Sequence, residues 1–269
     1  MGCVSLPSRC GYPDATNTGA KGALTVVQGD VVLSTAGMVY SNKEVRGCIK
    51  VTAANVTIRN VKVSCPRKYE WGIEYNGQGG GRMLVEDTTI SLVLGSSGIG
   101  NNNFTARRVN VYGGENGFMI YDGHALLEDN YCHDLTDESI HPEAHTDCVE
   151  GNMIYDTTIR HNSWLPSAPG AWATSAQGGA CGLCNPSTVR TGWLIENNLL
   201  DGGYSSIYCL RVPSQGTQVG SIVRNNRFGP NHLAPWGNPP DAFSDSCAAA
   251  GLSWTGNVRD DTGALIPAV

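Results

Sequence analysis

The sequence predicts an all-β solenoid, and three observations predict it. A short phrase, branched apolar then charged then two polar residues, recurs as TIRNV at 57–61, VEDTT at 85–89, ARRVN at 106–110, LEDNY at 127–131, IRHNS at 159–163, IENNL at 195–199 and VRNNR at 223–227. Marked by the residue after the charged one (Asn60, Asp87, Arg108, Asp129, His161, Asn197, Asn225), the copies lie 27, 21, 21, 32, 36 and 28 residues apart. A period of that size belongs to chains that stack one coil on the next. A second phrase precedes six of the seven copies: GCIKV at 47–51, WGIEY at 71–75, SGIGN at 97–101, NGFMI at 116–120, DCVEG at 147–151 and SSIYC at 205–209.

Each unit therefore holds at least two strands, since its apolar residues are β-branched or aromatic and Gly, Asn and Pro punctuate it. Stacking equivalent strands gives parallel sheets, whose ends need cover. The turn-rich PDATNTGAKGALT at 13–25 leads into the first coil, with Cys3 and Cys10 placed to tie it down. Aligning the phrases gives an inward column Val63, Ile90, Val111, Cys132, Trp164, Leu200 and Phe228. A second column is Ile49, Ile73, Ile99, Phe118, Val149 and Ile207. One position after the marker, Asn130, Asn162, Asn198 and Asn226 align as a hydrogen-bonding ladder that serves the turn backbone. At the far end, GPNHLAPWGNPPD at 229–241 reads as a loop over the last coil's edge, and GLSWTGNVRDDTG at 251–263 as a short strand and a turn.

These strand phrases, the Asn ladder and the unequal loops resemble the single-stranded parallel β-helix proteins of the pectate-lyase-like superfamily, over about residues 24–260. The resemblance implies a right-handed parallel β-helix of about seven to nine coils with capped ends and loop insertions on adjacent coils. It implies one domain over 1–269: an N-terminal cap at 1–23, coils at 24–228, and a C-terminal loop and cap at 229–269. It leaves the chemistry open, because the superfamily includes lyases, hydrolases, isomerases and phage tailspikes.

Composition narrows the setting. The continuous repeat makes one domain of the 269 residues, and the 34 glycines suit many tight turns. With 16% charged residues and a net charge of −6, nucleic acid is not expected as a partner. Ten cysteines in a glycine-rich β chain point to disulfides and an oxidising compartment. Cys181-Gly-Leu-Cys184 lacks the second pair of a zinc site and the βαβ context of a redox motif, so it reads as bridging to neighbouring coils. Residues 1–23 carry no apolar signal-peptide core, MGCVSL lacks the Ser or Thr of a myristoylation signal, and no segment is long enough to span a membrane. The expectation is an extracellular protein, or one carried on a phage particle.

The two long steps, 32 and 36, add two loops on neighbouring coils, and solenoid insertions often line the binding face. The first loop, CHDLTDESIHPEAHTDCVEG at 132–151, is unlike any other segment. From Val109 to Ile159 there are eleven acids, four of the six histidines, and no Lys or Arg. So one-sided a patch needs a bound cation or shared protons to offset it.

Three chemistries compete, beside a plain solvated acidic loop. In the leading one, Asp134, Asp137, Glu138 and Glu143 hold Ca²⁺, which bridges to a uronic acid. The fold resemblance implies this route to β-elimination. His145 is the base, His141 and Glu150 are further catalytic candidates, and Asp147 orients or balances the base. Arg211, in an Arg-x-Pro that resembles the one of pectate lyases, is the electrostatic candidate. In the second, two carboxylates among Asp137, Glu138, Glu143, Asp147 and Glu150 hydrolyse a glycosidic bond, one of them protonated by crowding. The negative patch then fits a neutral glycan better than an anionic one. In the third, His141-x-x-x-His145 with His133 binds a transition metal, against the intervening Pro142 and the absence of His-Glu-x-x-His.

A non-catalytic glycan-binding shaft is the remaining reading. The second long loop, WLPSAPGAWATSAQGGACG at 164–182, supplies Trp172 to stack on sugar, while Trp164 faces the core. His133 and Tyr208 are further substrate-binding candidates, and Trp71 and Trp193 are other platform aromatics. The expected partner is a polysaccharide substrate or glycan ligand, with the chain a monomer or a trimer.

Overall fold

The computed structural model describes residues 2–77, 81–93, 95–101, 103–121, 123–135, 147–151, 156–166, 190–202, 207, 218–219, 222–230 and 253–267. Regular structure among them is β, apart from one 3-10 turn at Pro7–Cys10. The strands form a 17-stranded sheet, a 6-stranded sheet and a 2-stranded one. The first two are built from the two repeated phrases. No helix among the described residues is long and apolar enough to cross a membrane.

The repeat phrases pair in parallel and in register. Ile58 faces Val85, which faces Ala106, then Leu127, Ile159, Ile195, Val223 and Trp254. The stack thus runs one unit beyond the last recognisable phrase, through strands Ser253–Thr255 and Val258–Arg259. The inward column also runs as expected, through Val63, Ile90, Val111, Cys132, Trp164, Leu200 and Phe228. In the six-stranded sheet Ile49, Ile73, Ile99, Phe118 and Val149 pair in turn. Ile207 is buried, and its neighbours in the sequence lie outside the described residues. These columns merge in one continuous apolar core. The architecture is all-β with long parallel sheets, compatible with a parallel β-helix.

Every marker takes a left-handed backbone, six of them at the corner between two strands and Asn60 within the single strand Thr57–Ser64. Asn60, Asp87, Arg108, Asp129, His161, Asn197 and Asn225 have φ between 49° and 59°. Asn and Asp tolerate this conformation, while Arg pays strain for it. Arg108 is held by two hydrogen bonds to Asp87, at 2.6 and 2.9 Å. In the last unit the marker is Gly256, at φ 65°, where a Cβ would also collide with Asn225 Oδ1.

The Asn ladder forms and reaches one rung further than its sequence alignment. Asn130, Asn162, Asn198, Asn226 and Asn257 are fully buried. Each Oδ1 of the last four accepts from both the backbone N–H and the Nδ2 of the preceding rung, at 2.8–3.0 Å. The spare Nδ2 hydrogen goes to a backbone carbonyl, such as Ile159 O for Asn198 at 3.0 Å.

Residues 2–21 do not stack as a unit. They run as a strap along the column of markers, from the last unit back to the first. Val4 N–H donates to Asp260 Oδ2 at 3.1 Å. Tyr12 stacks on His161, with centroids 5.4 Å apart, and its hydroxyl donates to Asn197. Gly19 N–H reaches Arg108 O, Ala20 N–H reaches Thr89 Oγ1 and Lys21 N–H reaches Asn60 Oδ1. Cys3 and Tyr12 form a second apolar cluster with Leu165 and Leu199.

Three disulfides are formed among the described cysteines: Cys3–Cys10, Cys48–Cys65 and Cys132–Cys148. The first knots the strap. The other two each close a single unit across its interior, and Cys48 and Cys148 occupy the two ends of an inward column otherwise made of Gly72, Gly98 and Gly117. A Cβ at Gly117 would lie 2.7 Å from Cys148 O and 2.9 Å from Cys132 Sγ, so the disulfide and the bare backbone need each other's room. Cys181 and Cys184 lie outside the described residues.

Candidate functional site

The strand Asp147–Gly151 closes the acid-rich loop and is the last of the six-stranded sheet. It pairs with Asn116–Ile120, placing Asn116 against Asp147 and Met119 against Glu150. Cys148 is anchored through the disulfide to Cys132 and Val149 through the core column, so the backbone carrying both carboxylates is held on two sides.

Asp147 is buried, 4% exposed, and its Oδ2 has no hydrogen-bond partner among the described residues. Its N–H donates to Asn116 Oδ1 at 3.2 Å, and Asn116 Nδ2 in turn donates to Glu150 Oε2 at 2.8 Å. Burial pushes the Asp147 carboxyl well above the usual carboxylate range, and the negative charges of Glu150 and Glu115 push it the same way. The arrangement is a buried carboxyl whose hold on its proton is strengthened, beside a second carboxyl that accepts from an amide. Chemically it can donate a proton from one group and accept one at the other.

His133 and Asp134 sit one strand end away. The His133 ring stacks on Tyr131 at 4.2 Å and lies 5.3 Å from Tyr112. Its Nδ1 pairs with Asp134 at 2.6 Å and its Nε2 with Asn110 at 2.9 Å. Both nitrogens of the ring are thus engaged within the protein, and Asp134 is paired with this histidine. Burial, then Asp134 and Asp14, push the Tyr131 hydroxyl up to about 12.

Asp137, Glu138, His141, Glu143 and His145 fall in 136–146, outside the described residues, as do Trp172, Tyr208 and Arg211. Among the described residues no three His, Cys, Asp or Glu side chains gather as a metal site. Trp164 lies in the core as expected, 2% exposed. Trp193 is a correction: at 3% exposed it is a core residue, and offers no platform to a sugar. The repeat brings it inside, directly before the inward-facing strand Leu194–Glu196.

Glu115 and Asn116 escaped the sequence reading, which drew its acids from the long loop alone. The signal was present in the second phrase: NGFMI and DCVEG align so that Asn116 must abut Asp147. No protein-family model, curated protein or solved structure matches this chain.

Proposed function

We propose that this protein is an extracellular, carbohydrate-active β-helix of the pectate-lyase-like type that cleaves a polysaccharide, with Asp147 and Glu150 as its acid and base. One observation carries the reading: the buried Asp147 carboxyl has an oxygen, Oδ2, with no hydrogen-bond partner among the described residues. An orphaned buried polar atom is costly, and such atoms concentrate where function needs them. Glu150 lies three residues on in the same strand and is linked to Asp147 through Asn116, so the pair supplies the two carboxyl groups that glycoside hydrolysis uses. Asp147 gives its proton to the glycosidic oxygen as the C–O bond breaks. Glu150 takes a proton from the water that adds to the anomeric carbon. Secretion is supported by the disulfides.

Cation-assisted β-elimination, with His145 as base, Arg211 beside it and Ca²⁺ on the loop acids, is the other arm of the test. A panel of neutral and acidic polysaccharides is incubated with the protein. Release of reducing ends without ultraviolet absorbance is the expected outcome. Unsaturated, absorbing products that vanish with EDTA would transfer the chemistry to the loop and calcium. Asp147→Asn and Glu150→Gln should each cut the rate by about 10²–10⁴-fold. Full activity in both variants would remove the pair from the mechanism.

A further inference from the structure

The outward row of the six-stranded sheet runs Lys50, Glu74, Gly100, Met119, Glu150 across successive strands. Gly100 interrupts a line of long side chains, and the gap is filled by a ring. The six-membered ring of Trp71 lies over Gly100 so closely that a Cβ there would fall inside the indole. Tyr121 stands edge-on to Trp71, with centroids 6.0 Å apart and planes 68° apart, and is 36% exposed. The amide of Asn101, next to Gly100, is fixed by hydrogen bonds to Tyr75 O and Asn76 Oδ1, both 2.8 Å. From Gly100 the row reaches Glu150 two strands on, about 10 Å away.

We propose that this face is a sugar-binding platform, with Trp71 and Tyr121 as its stacking rings and a neutral glycan as its ligand. The proposal rests on the acid–base pair of the preceding subsection and names the chemical class of its substrate. An indole packed against the bare backbone of Gly100, beside a second partly exposed ring, offers the apolar surface that the C–H face of a pyranose fits. Fixed amides and carboxylates at the margin suit hydroxyl groups. Charge selects the class: the row carries Glu74 and Glu150, Glu115 adds to it, and its one cation, Lys50, is paired with Glu74 at 3.3 Å. A uronic-acid chain would meet repulsion there, and an uncharged chain would not. The direction of the row would lay the glycan along the stack, leading toward Asp147.

Binding is measured by affinity electrophoresis in the Asp147→Asn background, so that cleavage does not blur it. The probes are a β-glucan and a galactomannan against polygalacturonate and alginate. Retardation by at least one neutral polymer is expected, weakened about tenfold by Trp71→Ala and by Tyr121→Ala. Gly100→Ala, which evicts the ring without removing it, should weaken binding as well, and Trp71→Phe should restore part of it. Melting curves of each variant separate a lost platform from a lost fold. Unchanged retardation in folded Trp71→Ala and Tyr121→Ala proteins, or retardation by the acidic polymers alone, overturns the proposal. Wild-type protein that binds through Trp71 but releases no product would leave the platform standing and sink the cleavage reading.

Discussion

Burying Asp147, with no partner for Oδ2 among the described residues, raises its hold on a proton in the folded chain only, and the effect on stability has a definite sign. Below the unfolded value of about 3.9, both states are protonated and the group contributes nothing. Above it the unfolded chain binds fewer protons than the native one, so stability falls as pH rises, until the native carboxyl itself ionises. Asp147→Asn keeps the shape and removes the titration. Its melting temperature should match wild type near pH 3.5 and exceed it increasingly toward pH 7, measured by thermal melts across that range. A variant that is more stable and less active is the trade-off expected of a catalytic carboxyl. Equal pH profiles would show that Asp147 is ionised at no extra cost. The Asn ladder makes the opposite kind of demand. Asn198→Ala would strand the Asn162 N–H and Nδ2 and the Ile159 carbonyl inside a dry turn. A loss of at least about 3 kcal/mol is expected in denaturant melts.

Strands that repeat in register also repeat their electrostatics. The charged position of the phrase reads Arg59, Glu86, Arg107, Glu128, Arg160, Glu196 and Arg224, alternating in sign at every step of the ladder. Glu128 accepts from both neighbours, at 2.7 Å from Arg107 and 2.6 Å from Arg160. Skipping a unit would place like charges opposite each other, which parallel stacking does not otherwise forbid. Glu128→Arg should therefore cost about 1 kcal/mol, less at high salt, and Glu128→Gln should cost less still. The alternation stands in the seven phrases, but the phrases reveal it only when they are aligned as neighbours. The inward columns were legible for the same reason, since each keeps a constant offset from its marker. Trp193 misled because a lone aromatic carries no offset of its own. The Asp147 site was half legible: loop composition located it, while its partners Glu115 and Asn116 come from the preceding unit.

At the scale of the whole molecule, two kinds of crosslink divide the work. Cys48–Cys65 and Cys132–Cys148 each restrain one unit, with separations of 17 and 16 residues, worth about 3 kcal/mol apiece on chain-entropy grounds. The strap of residues 2–21 acts across units, and no repeat phrase announces it, because its contacts depend on where the stack brings distant markers. Its far anchor, Asp260, is buried and takes hydrogen bonds from Val4 N–H and from Arg227 Nε at 2.8 Å.

A stack whose members touch only their neighbours behaves as a one-dimensional array, and such arrays fray from their ends with partly melted states in between. The strap links the two ends of that array, because it is bound to Asp260 in the last unit at Val4 and to Asn60 in the first-phrase unit at Lys21, with Tyr12 held at Asn197 and His161 between them. Statistically the chain is then a ring rather than a line, and a ring has no weak end. Intact protein should unfold with equal calorimetric and van't Hoff enthalpies. Deleting residues 2–12 should broaden the transition and drive the two enthalpies apart, while a deletion mutant that still melts in one step would mean the units were never independent.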